Sequence, residues 1–338
     1  MSPNDSKFFY ELTPERILAA VERLGIRCTG RCLSLQSMEN RVYEVEIEVA
    51  DEAALKSVSD RFRVAKFYRP GRWTEQQILE EHEFLFDLVK AEVPVVAPIC
   101  EPGGDSLFLL PEFNIWYAVF PKQGGRSPSE LNDEEVEQVG RLLARLHQVG
   151  AQKKAEHRLK LSVESFGSSN LRYLLDAKVV PDEFRPHFTH VVESICRTVE
   201  PWFSNVPLQR IHGDAHLGNL LWGSSGGFWV DFDDMLRGPC VQDMWLVVIG
   251  RDSEAKRKRE LLVSAYESMR SFDRATLALI EPLRALRMIH YNAWIARRFE
   301  DPAFQRTFPH FGTTGYWREH VSDLQDQLEF IQGREELD

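Results

Sequence analysis

The chain has 338 residues, 43% of them hydrophobic and 28% charged, with a formal net charge of −11. That length suits about two domains with a sizeable core, and the acidic balance argues against non-specific binding to nucleic acid or anionic membrane, both of which reward basic surfaces. A cationic substrate or a divalent metal is attracted only weakly, because ~0.15 M salt screens charges beyond roughly 8 Å.

The opening residues MSPNDSKFFYEL contain no basic-then-apolar signal segment, and the apolar run Met244 to Gly250 is far too short to span a bilayer. Cys28, Cys32, Cys100, Cys196 and Cys240 are scattered and lack the paired CxxC spacing of a zinc site. The expectation is a soluble cytoplasmic monomer with reduced thiols.

In chain order, RVYEVEIEVA (Arg41 to Ala50) alternates Val42, Glu44, Glu46 and Glu48 against Tyr43, Val45, Ile47 and Val49, which predicts a half-buried strand. RFRVAKFY (Arg61 to Tyr68) is β-branched and aromatic, predicting a second strand closed by Pro70 and Gly71. From Thr74, a plausible N-cap, the period changes: Ile78, Glu81, Leu85 and Leu88 share one helical face until VPVVAP ends it. IWYAVFP (Ile115 to Pro121) reads as a buried strand. Beyond a boundary near Gln123 to Gly125 the chain turns helical. Val136, Val139, Leu142, Leu143, Leu146 and Val149 form one stripe, capped by Asn132 or Asp133 and stopped by Gly150. KRKRE (Lys256 to Glu260) reads as a solvated helix face, and LALIEPLRALRMIHYNAWIARRF as a second long helix.

Between those helices, IHGDAHLGNLL (Ile211 to Leu221) sets polar, turn-prone residues among apolar flanks, and GGFWVDFDD follows. Two short strands forming a hairpin would aim His212, Asp214, Asn219 and Asp231 at one spot. Asn219 offers a neutral oxygen and Asp231 a charged one, a pair suited to Mg²⁺, which keeps waters and phosphate ligands. Asp214 is then free to orient and deprotonate a hydroxyl. That division of labour matches phosphoryl transfer, in which positioning and charge neutralisation do most of the catalysis.

HxDxxxxN followed by VDFDD, downstream of a strand lysine, resembles the kinase-like phosphotransferases related to the aminoglycoside and choline kinases. SMENRVYEV, VAKFYRPGRWTEQQILEEHEF and VDFDDMLRGPCVQDMW extend the resemblance to the bacterial stress-response kinases of that group, over about Leu24 to Trp317. The resemblance implies a two-lobed α+β protein-kinase-like fold. Residues 1–120 would cover the nucleotide, and residues 121–338 would form a larger helical lobe carrying the catalytic loop and substrate-docking helices.

It implies ATP and Mg²⁺ as cofactors, Asp214 as catalytic aspartate, Asn219 as metal ligand, and Asp231 as both catalytic and metal-binding. Lys66 would contact the α- and β-phosphates, with Glu81 preferred to Glu80 as its partner because it lies on the inward stripe. Ser37 would sit at the tip of the phosphate-covering loop LQSMENR, and adenine would lie against Phe120 to Lys122. That loop has no glycine, a departure from the Gly-rich loop of protein kinases, so it should be stiff and turnover modest. The resemblance favours Ser/Thr on proteins, the chain itself included, over a small-molecule alcohol such as an amino sugar or choline-like alcohol. The motifs alone do not separate the two.

Plainer readings stand beside these. Lys66 could snorkel from a strand edge, and Asp233 and Asp234 could hydrogen-bond the turn instead of aiding a metal. His212 reads as structural, His147 as a satisfied core or capping histidine, and Asp243 as a buried N-cap bracing the catalytic loop. His216 is open between phosphate contact and packing. GDAH also fits the GDxH element of metallophosphatases, but those need an Asn followed by His, and Leu220 follows Asn219 here. A non-catalytic binding module is disfavoured because Lys66, Asp214, Asn219 and Asp231 are all present.

Overall fold

Five antiparallel strands form the first layer. The computed structural model describes Phe9, residues 11–223 and residues 226–335; most of the opening stretch searched for a signal segment lies outside the described residues. Strands β1 (Cys28–Leu35), β2 (Arg41–Ile47), β3 (Phe62–Phe67), β4 (Phe108–Leu110) and β5 (Ile115–Pro121) are ordered β1-β2-β3-β5-β4. Helix α1 (Pro14–Glu22) covers one face, where Ile17 and Val21 pack with Val45, Phe67 and Tyr117. At nine residues α1 is too short to leave a clear period in the sequence.

The other face of β2 is only partly open to water, although its polar alternation suggests a solvent-facing side: Glu46 stays partly exposed. Val42 and Glu44 line a cleft, and Glu44 is buried because Lys122, just past β5, pairs with it. Helix α2 (Glu75–Lys90) begins at Thr74 with a capping box: the Gln77 N–H donates to Thr74 Oγ1 at 3.3 Å, and the Thr74 N–H to Gln77 Oε1 at 2.9 Å. The helix buries Ile78, Glu81, Leu85 and Leu88 as its spacing predicts.

The helical part opens with α3 (Asp133–Gly150), capped by Asn132. Then follow α4 (Ser169–Asp176), entered through one π-turn, α5 (Arg185–Val199), β6 (Gln209–Ile211), the hairpin of β7 (Leu220–Gly223) and β8 (Gly226–Trp229), and β9 (Leu236–Gly238). After α6 (Val241–Val247), α7 (Ser253–Glu267) packs so closely on α3 that a Cβ on Gly140 would lie 2.4 Å from the Leu262 carbonyl oxygen. Helices α8 (Ile280–Ala296), α9 (Pro302–Thr307) and α10 (Thr314–Glu335) complete the chain. Phe84 of α2, Leu143 of α3, Trp229 of β8 and Phe232 share one core, so the hairpin is packed against the helix that carries Glu81. A second core joins α5, α8 and α10 through Phe188, Ile289 and Leu324. Among the described residues no helix is long and apolar enough to cross a membrane.

Candidate active site

A cavity of about 1100 Å³ lies between the sheet and the helices, and Ser37, Lys66, Glu81, Phe120, Asp214, Asn219 and Asp231 all line it. The loop bearing Asp214 and Asn219 leaves β6 through Gly213, whose φ of +86° favours glycine and whose added Cβ would lie 2.2 Å from the Asp234 carbonyl oxygen. The buried Asp243 carboxylate accepts the His212 and Gly213 N–H groups, each at 2.8 Å. It braces the loop as expected, but from the first turn inside α6; Cys240 holds the N-cap position. His212 Nδ1 accepts the Asp214 N–H at 3.3 Å, which leaves Nε2–H to donate to the Val230 carbonyl at 3.0 Å. His212 thus ties the loop to the hairpin.

The Asp214 carboxylate is held on both sides. Arg287 Nη2 of α8 donates to Oδ1 at 2.7 Å, His216 Nε2 lies 3.3 Å from Oδ2, and Asn219 Nδ2 donates to Oδ2 at 3.4 Å. Burial acts to raise the pKa of Asp214, but His216 and Arg287 more than reverse it, holding the carboxyl below its ordinary range. Oδ1 keeps a lone pair for an incoming hydroxyl. His216 Nδ1 also accepts the Gly218 N–H at 2.9 Å, so this histidine orients Asp214 and shapes the turn.

Asn219 donates Nδ2 to the Asp214 carbonyl at 3.0 Å, leaving Oδ1 as its available acceptor. Asp231 has φ +59° and ψ +70°, a left-handed conformation costly for a non-glycine residue and common at functional sites. Its carboxylate is half-exposed to the cleft, with Lys66 at 3.2 Å as its ion-pair partner. Among the described residues no group of three or more His, Cys, Asp or Glu could hold a metal alone. One amide oxygen and one carboxylate fit a hard cation that takes its remaining ligands from water and phosphate.

Lys66 is buried on β3 between three carboxylates, with Nζ 3.4 Å from Glu81 Oε1, 3.2 Å from Asp231 Oδ1 and 3.1 Å from Asp233 Oδ1. Burial opposes its charge, but Asp233, Glu81 and Asp231 outweigh that and hold its pKa well above the usual lysine value. Its position on a central strand rules out snorkelling from an edge. Glu81 also accepts from Arg158 Nη2 at 2.9 Å, and Asp233 pairs with Arg72. Glu80 points elsewhere, accepting the N–H groups of Glu156, His157 and Arg158 at 2.5, 3.0 and 2.8 Å. It buttresses the segment that delivers Arg158.

The loop around Ser37 is anchored by residues that sequence reasoning did not single out. Arg69 Nε donates to the Glu39 carbonyl at 2.9 Å, Trp294 Nε1 donates to Glu39 Oε2 at 2.7 Å, and Arg298 pairs with the same carboxylate. Asn40 Oδ1 accepts the Arg69 N–H at 3.0 Å. A glycine-free loop is therefore fastened to α8, which also carries Arg287. No local pattern announces Arg72, Arg158, Arg287 or Glu39, because their partners lie tens to hundreds of positions away; Asp233 alone carried a signal, in VDFDD.

A two-lobed α+β architecture, with a lysine–glutamate pair under a sheet and an Asp–Asn–Asp set on a loop and hairpin, defines the kinase-like class of phosphotransfer proteins. Residues 35–280 match the family described as the phosphotransferase enzyme family. The chain is 38% identical over 332 residues to stress response kinase A of Escherichia coli (strain K12), covering 97% of each protein. It is also 38% identical over 331 residues to the serine/threonine protein kinase RdoA of Salmonella typhimurium (strain LT2), covering 97% of this chain and 96% of that one. An amicoumacin kinase, solved in complex with AMP-PNP, Ca²⁺ and Ami, superposes with a TM-score of 0.71 at 17% identity, over 92% of this chain and 96% of that chain. That likeness is one of fold. The chain belongs to the phosphotransferase enzyme family. It is a kinase, for which ATP and a divalent cation are implied.

Proposed function

We propose that the protein is a Mg²⁺-dependent serine/threonine protein kinase of the bacterial stress response, acting in the cytoplasm on other proteins and on itself. The observation that carries this reading is the convergence of Lys66, Asp231, Asn219 and Asp214 on one cleft. The names of the two bacterial relatives support a protein hydroxyl as acceptor and a role in stress.

In this reading residues 1–120 cover the nucleotide, while residues 121–338 supply the loop and the docking helices. Phe120 and the connection to Lys122 take the adenine, Ser37 meets the phosphates with its hydroxyl and N–H, and Lys66, steadied by Glu81, grips the α- and β-phosphates. Asn219 and Asp231 hold Mg²⁺, which when bound neutralises phosphate charge. Asp214 orients the acceptor hydroxyl and takes its proton at a carboxylate oxygen as the hydroxyl oxygen bonds to the γ-phosphorus and the bond to ADP breaks.

A small-molecule alcohol is the second reading, favoured by the fold shared with a kinase named for amicoumacin. Arg287 and Arg297 on the cleft wall count against a cationic acceptor such as an amino sugar or a choline-like alcohol. The test incubates purified protein with γ-labelled ATP, Mg²⁺ and whole-cell extract, with Asp214→Ala as control. Label retained on serine or threonine of proteins after dialysis is the expected result. Label found only in dialysable metabolites would sink the protein-kinase reading.

A further inference from the structure

The acceptor side of the cleft is cationic in a chain whose net charge is −11. Helix α8 and the two residues after it present Arg287, His290, Trp294, Arg297 and Arg298 to the cavity. Most of that positive charge is matched: Arg298 pairs with Glu39 and Arg287 with Asp214. Arg297 differs. Its Nη2 donates to the Asn170 side-chain oxygen at 2.8 Å, and its guanidinium lies 4.3 Å from the centroid of the Tyr173 ring. Both partners are neutral, and among the described residues no carboxylate forms an ion pair with it. His290 beside it adds no charge, because burial and the surrounding arginines push its pKa down to about 3. Its ring stacks on Phe166 at 4.3 Å and takes a hydrogen bond with Asn170 at 3.2 Å, so the ledge around Arg297 is ordered before any acceptor arrives.

A half-buried guanidinium held by an amide and an aromatic ring, open to a cavity and lacking a counter-ion, is suited to a carboxylate or phosphate. Arg297 stands ten residues beyond Arg287, which touches Asp214. At ~1.5 Å per helical residue the two are about 15 Å apart along α8. An extended peptide covers that span in roughly four to five residues at ~3.3 Å each. We infer that the acceptor is an acidic peptide segment, in which a carboxylate or phosphorylated side chain four or five residues from the target hydroxyl docks on Arg297. The inference rests on the protein-kinase reading and narrows it to acid-directed serine or threonine sites.

The test uses serine-centred peptides in an alanine–glycine background with a single Asp walked through six positions on either side. Each is assayed with Mg²⁺ and ATP against the full-length protein, Arg297→Gln and Arg297→Lys. Asp four or five residues away, on one side only, should improve kcat/KM about 10-fold, through KM, as expected for one charge-assisted contact. Arg297→Gln should lose that advantage and Arg297→Lys should retain part of it. Urea midpoints on the same preparations identify a misfolded Gln variant, in which event the Lys variant, with its partial retention, carries the test. Phosphorylation of peptides without any acid preference, a preference for Lys or Arg, or an Asp advantage that survives Arg297→Gln overturns the subsite while leaving the kinase reading intact. Transfer to no peptide and not to the chain itself, with transfer to a small alcohol preserved, overturns both.

Discussion

The two walls of the cleft are built on opposite principles. On the wall proposed for the nucleotide, Lys66, Arg72, Arg158, Glu81 and Asp233 are buried or nearly so, and each charge meets an opposite one; Lys66 and Arg72 each face three carboxylates. On the wall proposed for the acceptor, Arg287 and Arg297 are partly exposed; among the described residues the first has one acid and the second none. A buried ionic network tolerates little rearrangement, because any charge that loses its partner is stranded in a poorly solvating interior. A half-exposed arginine can exchange partners at low cost. The first wall is thus fixed before ligand arrives, as suits a nucleotide that never varies. The second leaves its charge to be satisfied by the acceptor.

Truncation should divide the walls most sharply. Arg158→Ala takes from the buried Glu81 carboxylate one of its two cations, leaving only Lys66, which Asp231 and Asp233 share, and should cost about 3 kcal/mol of stability, whereas Arg297→Gln should stay within about 1 kcal/mol. Urea unfolding measures both, and equal midpoints for the two variants would break the comparison. Next in size, Asp214→Ala should lower kcat by about 10² or more and leave nucleotide affinity nearly unchanged, because the proposed role sets Asp214 against the acceptor. Lys66→Ala should do the reverse and weaken nucleotide binding. Nucleotide titration and steady-state kinetics separate the two, and a large loss of ATP affinity in Asp214→Ala would move that residue to the other wall.

The same contrast governs what could be read from the letters. The strand at Ile115–Pro121, the capped helices after Thr74 and Asn132, and the hairpin that leads into Asp231 follow from local period and turn chemistry. The choice of Glu81 over Glu80 followed from helical phase, and Glu81 is the one that meets Lys66. What local pattern misses is anything made by tertiary pairing. Glu44 reads as a solvent-facing strand residue until Lys122 covers it, and α10 buries Leu324, Leu328 and Ile331 on a face whose phase is diluted by polar residues. Arg287 sits in a helix with nothing nearby to mark it, yet it reaches Asp214 across 73 positions. The arginines on both walls were invisible for that reason, although they set the charge of the cleft.

A smaller effect tests whether the catalytic loop belongs with the rigid wall. His147 of α3 is fully buried, with Nε2 3.0 Å from Asp243 Oδ2 and Nδ1 3.1 Å from the Tyr266 hydroxyl, which also accepts from Arg270 at 3.0 Å. Burial disfavours its charge, but Cys240 and Asp243 outweigh that and push its pKa up to about 9. A folded-state pKa above the unfolded value near 6.5 means that the stabilisation is complete below about pH 6.5 and is lost as pH rises through about 9. The loss should be smaller than that of Arg158→Ala. Neutral His147 can still donate Nε2–H to Asp243 and accept from Tyr266, so only the charge disappears. Asp243 also keeps the His212 and Gly213 N–H groups, so the loop before Asp214 should loosen without unfolding. Urea midpoints from pH 6 to 10 should fall for the unaltered protein and stay flatter for His147→Gln, with kcat following the same alkaline limb. Parallel pH profiles for the two proteins would show that the brace under the loop does not depend on the imidazolium.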